Sequence, residues 1–121
     1  MAQSVLVLER DAQLARSLAG GLQSRFAVHV MGSREELQDR LTENHPEAVV
    51  LDIEHWCLRD VENLHRDFPA LTIVCTHRIP DEEMWMAALE AGASDVCAAD
   101  DVADVLTSVL RNAAVSSGAA A

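Results

Sequence analysis

Three carboxylates and a hydroxyl stand at the ends of short apolar runs. Glu9 and Asp11 follow "SVLVL", Asp52 closes "AVVLD", and Thr76 closes "IVCT". Mg²⁺ takes a few carboxylate oxygens and keeps open positions for phosphate oxygens. An aspartate beside such an ion can act as a nucleophile toward a phosphoryl group that a hydroxyl and a cation hold in place. Asp52 is therefore the candidate phosphoacceptor, and Glu9, Asp11 and Asp52 are the candidate Mg²⁺ ligands. Thr76 and Arg10 are the candidate phosphate pocket. A second chemistry competes for the same residues. His55 and His77, with Asp52, Glu54 and Cys57, offer donors for a transition metal or a small enzymatic site, in a spacing that matches no closed site. The third reading is structural: Asp52 as a strand-end carboxylate paired with Arg10.

These residues act together only if the chain brings them to one edge. Two kinds of segment alternate along it. Residues 4–9, 26–31, 47–52, 71–76 and 94–99 are short and rich in Val, Ile and Leu. Continuous apolar runs at 5–8, 49–51 and 73–75 predict strands covered on both faces. Between them lie helical patterns. Leu14, Leu18 and Leu22 recur at every fourth position over 11–24. Ser33 and Glu36 predict a capping box ahead of 34–44. A shorter helix fits 58–66, and another fits 81–91, with acids in its first turn and Gly92 past its end. Val102, Val105, Leu106, Val109, Leu110 and Ala113 form an amphipathic stripe over 101–113. Five strands alternating with five helices predict a parallel, doubly wound α/β sheet. In such a sheet, ligands sit at the C-terminal strand ends, where the candidate residues lie.

Composition narrows the partners. The 121 residues fit one domain, and half are apolar, enough for a core without disulfides. The net charge is −11, and from residue 80 onward eight acids face Arg111 alone, so nucleic acid is not expected as a direct ligand. No apolar run approaches a membrane span, and "SVLVL" lacks a basic leader. The cysteines, Cys57, Cys75 and Cys97, are odd in number without CxxC spacing, and read as reduced thiols of a cytoplasmic protein. All nine basic residues are arginine. Residues 1–115 are expected to form the domain, and 116–121 a flexible tail or the start of a linker.

Over about residues 4 to 113 the chain resembles the receiver domains of two-component response regulators. "VLVLERD" matches the strand with the acidic pair, "AVVLD" the phosphoacceptor strand and "IVCT" the strand ending in the switch hydroxyl. "ALEAGASDV" matches the run before the last strand. The resemblance implies a flavodoxin-like sheet of order 2-1-3-4-5 and a bacterial phosphorelay signalling module rather than an enzyme. Its implied partners are a second copy, a histidine kinase or an output domain. Several family positions differ. The second acid of the pair is Arg10, with Asp11 one residue beyond. The family's lysine falls on Ala99, followed by Asp100, and no lysine exists elsewhere in the chain. The loop after Asp52 is "IEHWCLRD", with Thr76 24 positions on; the switch aromatic falls on Val96, and His77 stands where a small residue is usual. The expected consequence is that Arg10 pairs with Asp52, or with Glu9, as a constitutive ion pair. The domain then works as an atypical receiver and interaction module, with Mg²⁺ weakly bound or absent. The alternative is a receiver phosphorylated at Asp52 by a histidine kinase. Trp85 is expected to be partly exposed, either as an interface anchor or folded over the fifth helix. Trp56 is expected to cap the shortened third helix as local core, and Cys75 and Cys97 to be small core residues.

Overall fold

The computed structural model describes residues 3–118. Its elements are β1 (Ser4–Leu8), α1 (Ala12–Leu22), β2 (Ala27–Val30), α2 (Arg34–Asn44), β3 (Ala48–Asp52), α3 (Leu58–Asp67), β4 (Thr72–His77), α4 (Glu82–Ala91), β5 (Asp95–Ala98) and α5 (Val102–Gly118). All strand pairs are parallel, and the sheet order is β2-β1-β3-β4-β5, as expected. Most strand and helix ends fall within one or two residues of those expected, usually a residue inside them. β4 runs one residue further, to His77, and α5 continues through Gly118. The tail expected from residue 116 therefore starts inside a helix, while 119–121 lie outside the described residues.

The period of two along each strand splits the core into two layers. Leu6, Leu8, Val49, Leu51, Ile73 and Cys75 face the side packed by α2, α3 and α4 through Leu37, Leu41, Val61, Leu64 and Ala88. Val5, Val7, Val50, Val74 and Cys97 face α1 and α5 through Leu18, Leu22, Val105 and Val109. The central strands β1 and β3 are buried along nearly their whole length, which explains their unbroken apolar runs. Cys75 and Cys97 lie on neighbouring strands, in opposite layers. Burial pushes both thiols up to about 12.

Helix ends follow their side chains. Ser33 Oγ accepts the Glu36 N–H at 3.2 Å, the Ser33 half of the predicted capping box. Asp81 Oδ1 caps α4 through the Met84 N–H at 2.8 Å. α4 ends at Gly92 with φ +116°, a left-handed value that favours glycine. A Cβ there would also stand 2.5 Å from His65 on α3, so backbone and packing both require the glycine.

Candidate functional site

Strand parity decides which rim residues meet. Val5 and Val7, Val50, and Val74 lie on the α1/α5 side, so Glu9, Asp52 and Thr76, each at an even step beyond them, face that side too. Asp52 and Thr76 are direct partners in the β3/β4 register. Asp52 is 6% exposed and Thr76 fully buried. The Thr76 Oγ1 has no hydrogen-bond partner. Asp52 Oδ1 accepts the Glu54 N–H at 2.9 Å. The Glu9 carboxyl stands beside that of Asp52, and its Oε2 accepts the Asp11 N–H at 3.1 Å. Glu9 is raised from 4.5 to about 7. Burial is the main cause; the Asp11 N–H opposes it, and the nearby Asp52 carboxylate adds to it. A cleft of about 430 Å³ opens above Glu9, Asp52 and Glu54, lined also by Arg10, Asp11, His55 and Arg78.

The expected ion pair between Arg10 and Asp52 does not form. Arg10 Nη1 donates instead to His55 Nδ1, at 3.2 Å. Parity supplies the reason: Arg10 falls in the opposite phase to Glu9 and heads toward the β3–α3 loop, where His55 lies. A guanidinium can only donate, so this His55 nitrogen is the unprotonated one. Asp11 has a structural role at the start of α1. It is the N-cap of α1, and its Oδ1 accepts the N–H groups of Gln13 at 2.9 Å and Leu14 at 3.1 Å. The transition-metal alternative fails on geometry. His77 Nδ1 accepts the Ile79 N–H at 3.0 Å, and Cys57 donates through N–H and Sγ to Asp60. Among the described residues no group of three His, Cys, Asp or Glu side chains could hold a metal.

Arg78 is the rim residue that sequence reasoning missed. Its Nε lies 3.2 and 3.1 Å from the two Glu54 carboxylate oxygens, and its Nη2 lies 3.0 Å from Oε2. Its backbone N–H also donates to Glu54 at 2.6 Å. Arg78 hydrogen bonding holds the Glu54 carboxyl below its usual range. The available signal was a cation just past the end of β4, in a chain whose other rim residues are mostly acidic.

The remaining expectations concern packing. Ala99 is 2% exposed and donates its N–H to the His77 carbonyl at 3.0 Å, so a methyl stands at the end of β5. Val96 is buried in the α2/α3/α4 layer. Trp56 belongs to that layer, just ahead of α3, with the Arg34 guanidinium 5.2 Å from its ring centre. Trp85 is 43% exposed on α4 and joins neither core layer.

As for Mg²⁺, the residues present fit it in part. Glu9 and Asp52 present hard oxygen donors, and a cation between them would offset both the burial and the Asp52 repulsion that raise the Glu9 carboxyl. Asp11 caps α1 through Oδ1 alone and also lines the cleft.

No protein-family model matches the chain, and no curated protein matches it. Solved structures do. A response regulator from Thermotoga maritima aligns at a TM-score of 0.85 and 16% identity, covering 94% of this chain and 99% of its own. The N-terminal signal receiver domain of a two-component response regulator from Bacteroides fragilis aligns at 0.84 and 21%, covering 93% and 98%. An atypical orphan response regulator, described as having a phosphorylation-independent regulatory mechanism, aligns at 0.81 and 18%, covering 92% and 95%. The fold is that of receiver domains. Among the described residues no helix is long and apolar enough to cross a membrane.

Proposed function

We propose that this chain is an atypical receiver domain of a bacterial response regulator. It acts in cytoplasmic signal transduction by binding a protein partner, and conventional phosphorylation of Asp52 is not its switch. The observation that carries this reading is Ala99, buried at the end of β5 where the resemblance places a lysine. A unit positive charge about 4 Å from a phosphoryl group contributes roughly 4 kcal/mol at an effective dielectric of 20. The two arginines at the cleft do not replace it, because Arg10 is engaged by His55 and Arg78 by Glu54. The cleft lining carries four carboxylates, Glu9, Asp11, Asp52 and Glu54, against those two arginines. A phosphoryl dianion would add to an existing excess of negative charge. Mg²⁺, when bound, supplies charge neutralisation there, and Glu9 and Asp52 are the residues that would hold it.

One observation favours a second reading, in which Asp52 accepts a phosphoryl group from a histidine kinase. The Thr76 hydroxyl is buried beside Asp52 with no partner, and a phosphoryl oxygen would give it one. Beryllofluoride with Mg²⁺ separates the two readings, since it mimics a phosphoryl group on an aspartate. Trp56, four residues past Asp52, is the fluorescent reporter, in a Trp85→Phe background. No change up to millimolar beryllofluoride is the expected result. A saturable change that Asp52→Ala abolishes would overturn the first reading and establish the second.

A further inference from the structure

We propose that a groove at the foot of the sheet binds a small organic cation with an apolar body, of the arylalkylamine type. The apolar body seats against Leu41, Phe68 and Leu71, and the ammonium group faces Glu47. The groove lies where β3 and β4 begin, at the opposite end of the strands from Asp52 and Thr76. The inference therefore goes beyond the reading above and stands apart from it.

Two helix-to-strand turns build the groove. α2 turns into β3 through His45, Pro46 and Glu47, and α3 turns into β4 through Phe68, Pro69, Ala70 and Leu71. Because β3 and β4 are parallel neighbours, these turns lie side by side. The space between them is about 430 Å³, a volume suited to a small ligand. Its floor is apolar: Leu41 and Pro46 are buried, and Phe68 and Leu71 pack against the core. The walls are preformed. Each proline fixes its own φ. The Glu47 N–H donates to the Ser4 carbonyl at 2.9 Å, the Leu71 N–H to the Phe68 carbonyl at 3.0 Å, and the Thr72 N–H to the Glu47 carbonyl at 3.3 Å. His45 takes φ +48°, a left-handed value uncommon for a residue with a Cβ, and so ends α2 and swings the chain into Pro46. Walls fixed in this way lose little freedom when a ligand binds.

Charge selects the head group. Glu47 and Asp67 line the groove, and no arginine does. Asp67 meets Arg66 at 3.2 Å. The half-buried Glu47 carboxylate takes part in no ion pair among the described residues. Both α2 and α3 end at the groove, so the negative ends of two helix dipoles converge on it, and the last turn of α2 holds no basic side chain. Carboxylates and helix ends together favour an ammonium group and repel a carboxylate or a phosphate. They also disfavour a second copy of this chain, which carries −11 itself. The apolar floor adds the other requirement: a bare ammonium would leave Phe68 and Leu71 uncovered, so the ligand needs an apolar body.

The test is titration of the full chain with phenethylamine near neutral pH, followed by backbone amide shifts in NMR. Hydrocinnamate, which keeps the ring and reverses the charge, and methylamine, which keeps only the charge, are the comparisons. Phenethylamine should saturate at about millimolar concentration, with shifts centred on Leu41, Glu47 and Leu71. Neither comparison compound should saturate. Glu47→Gln should weaken phenethylamine by about fivefold. Ala70→Trp, at an exposed position on the rim, should abolish binding by filling the groove. Circular dichroism checks that each variant is folded. Absence of saturation, equal binding of phenethylamine and hydrocinnamate, or affinity unchanged in either variant would overturn the proposal. So would shifts centred on Asp52 and Glu54, because the acidic cleft would then be the site of the amine. A homodimer in sedimentation that Ala70→Trp dissolves would overturn it too, because a second copy would then own the groove. A beryllofluoride response overturns the reading of Asp52 and leaves the amine result as it stands. Failure of amine binding leaves the reading of the phosphoryl pocket unchanged.

Discussion

Replacing Glu9 with Gln should remove a pH-dependent instability that the wild-type chain carries at its candidate site. The Glu9 carboxyl rises from 4.5 to about 7 on folding, chiefly through burial and also through the adjacent Asp52 carboxylate. An acid raised on folding binds its proton more tightly in the native state. Its contribution to stability is therefore unimpaired below pH 4.5 and is progressively lost as pH climbs to about 7. A shift of this size is equivalent to roughly 3 kcal/mol at 1.36 kcal/mol per unit. Glu9 is only half-buried, and solvent screening reduces the effect to about 1–2 kcal/mol. Glu9→Gln keeps an N–H donor for Asp52 and cannot ionise. Urea midpoints at pH 5 and pH 8, for both proteins, isolate the effect because all other titrating groups are common to them. The variant should match the wild type within a few tenths of a kcal/mol at pH 5 and exceed it by about 1–2 kcal/mol at pH 8. Parallel pH profiles for the two proteins would refute the reasoning, and so would a variant less stable than wild type at pH 8.

Other consequences of the structure are open to measurement. Asp11→Ala should cost about 1 kcal/mol in urea unfolding by uncapping α1. Gly92→Ala should destabilise by about 1–3 kcal/mol through its positive φ alone, and by more through His65. Adding His65→Ala should recover the steric part only, read as a partial return of the urea midpoint. With a thiol reagent at pH 8, native protein should react at exposed Cys57, while Cys75 and Cys97, buried and raised to about 12, react only on unfolding.

The sequence carried the elements well and the site unevenly, for physical reasons. A strand such as "AVVLD", buried on both faces, must be apolar at every position, so it announces itself over a few residues. Helices α1 and α5 pack one side, and their Leu and Val stripes have the helical period. Parity along β1 and β3 likewise allows Glu9 to be placed on the same side as Asp52. Arg10 was misplaced because its charge was weighed and its phase on the strand was not. Asp11 reads as a metal donor by type, yet it immediately precedes a helix, and an aspartate in that position satisfies backbone N–H groups first. Arg78 was invisible for another reason. Its partner Glu54 is far away in sequence, and the pairing depends on how two loops lie beside one another after β3 and β4.

The pattern around Asp52 is one of charges already committed. Arg10 is held by His55, Arg78 by Glu54, and Asp11 by the start of α1, while Glu9 and Asp52 lean on each other. A site in this condition resists a new anion in two ways. The arginines must break existing contacts to help, and the carboxylates nearest the anion repel it. Thr76 is the exception, a buried hydroxyl with its hydrogen-bonding capacity unspent. Leaving such a hydroxyl unpaired costs about 1–3 kcal/mol, less than the roughly 4 kcal/mol that one missing cation removes. The balance therefore tilts against phosphoryl binding by the side chains alone. Only a divalent cation on Glu9 and Asp52 could reverse it, which is why beryllofluoride must be titrated together with Mg²⁺.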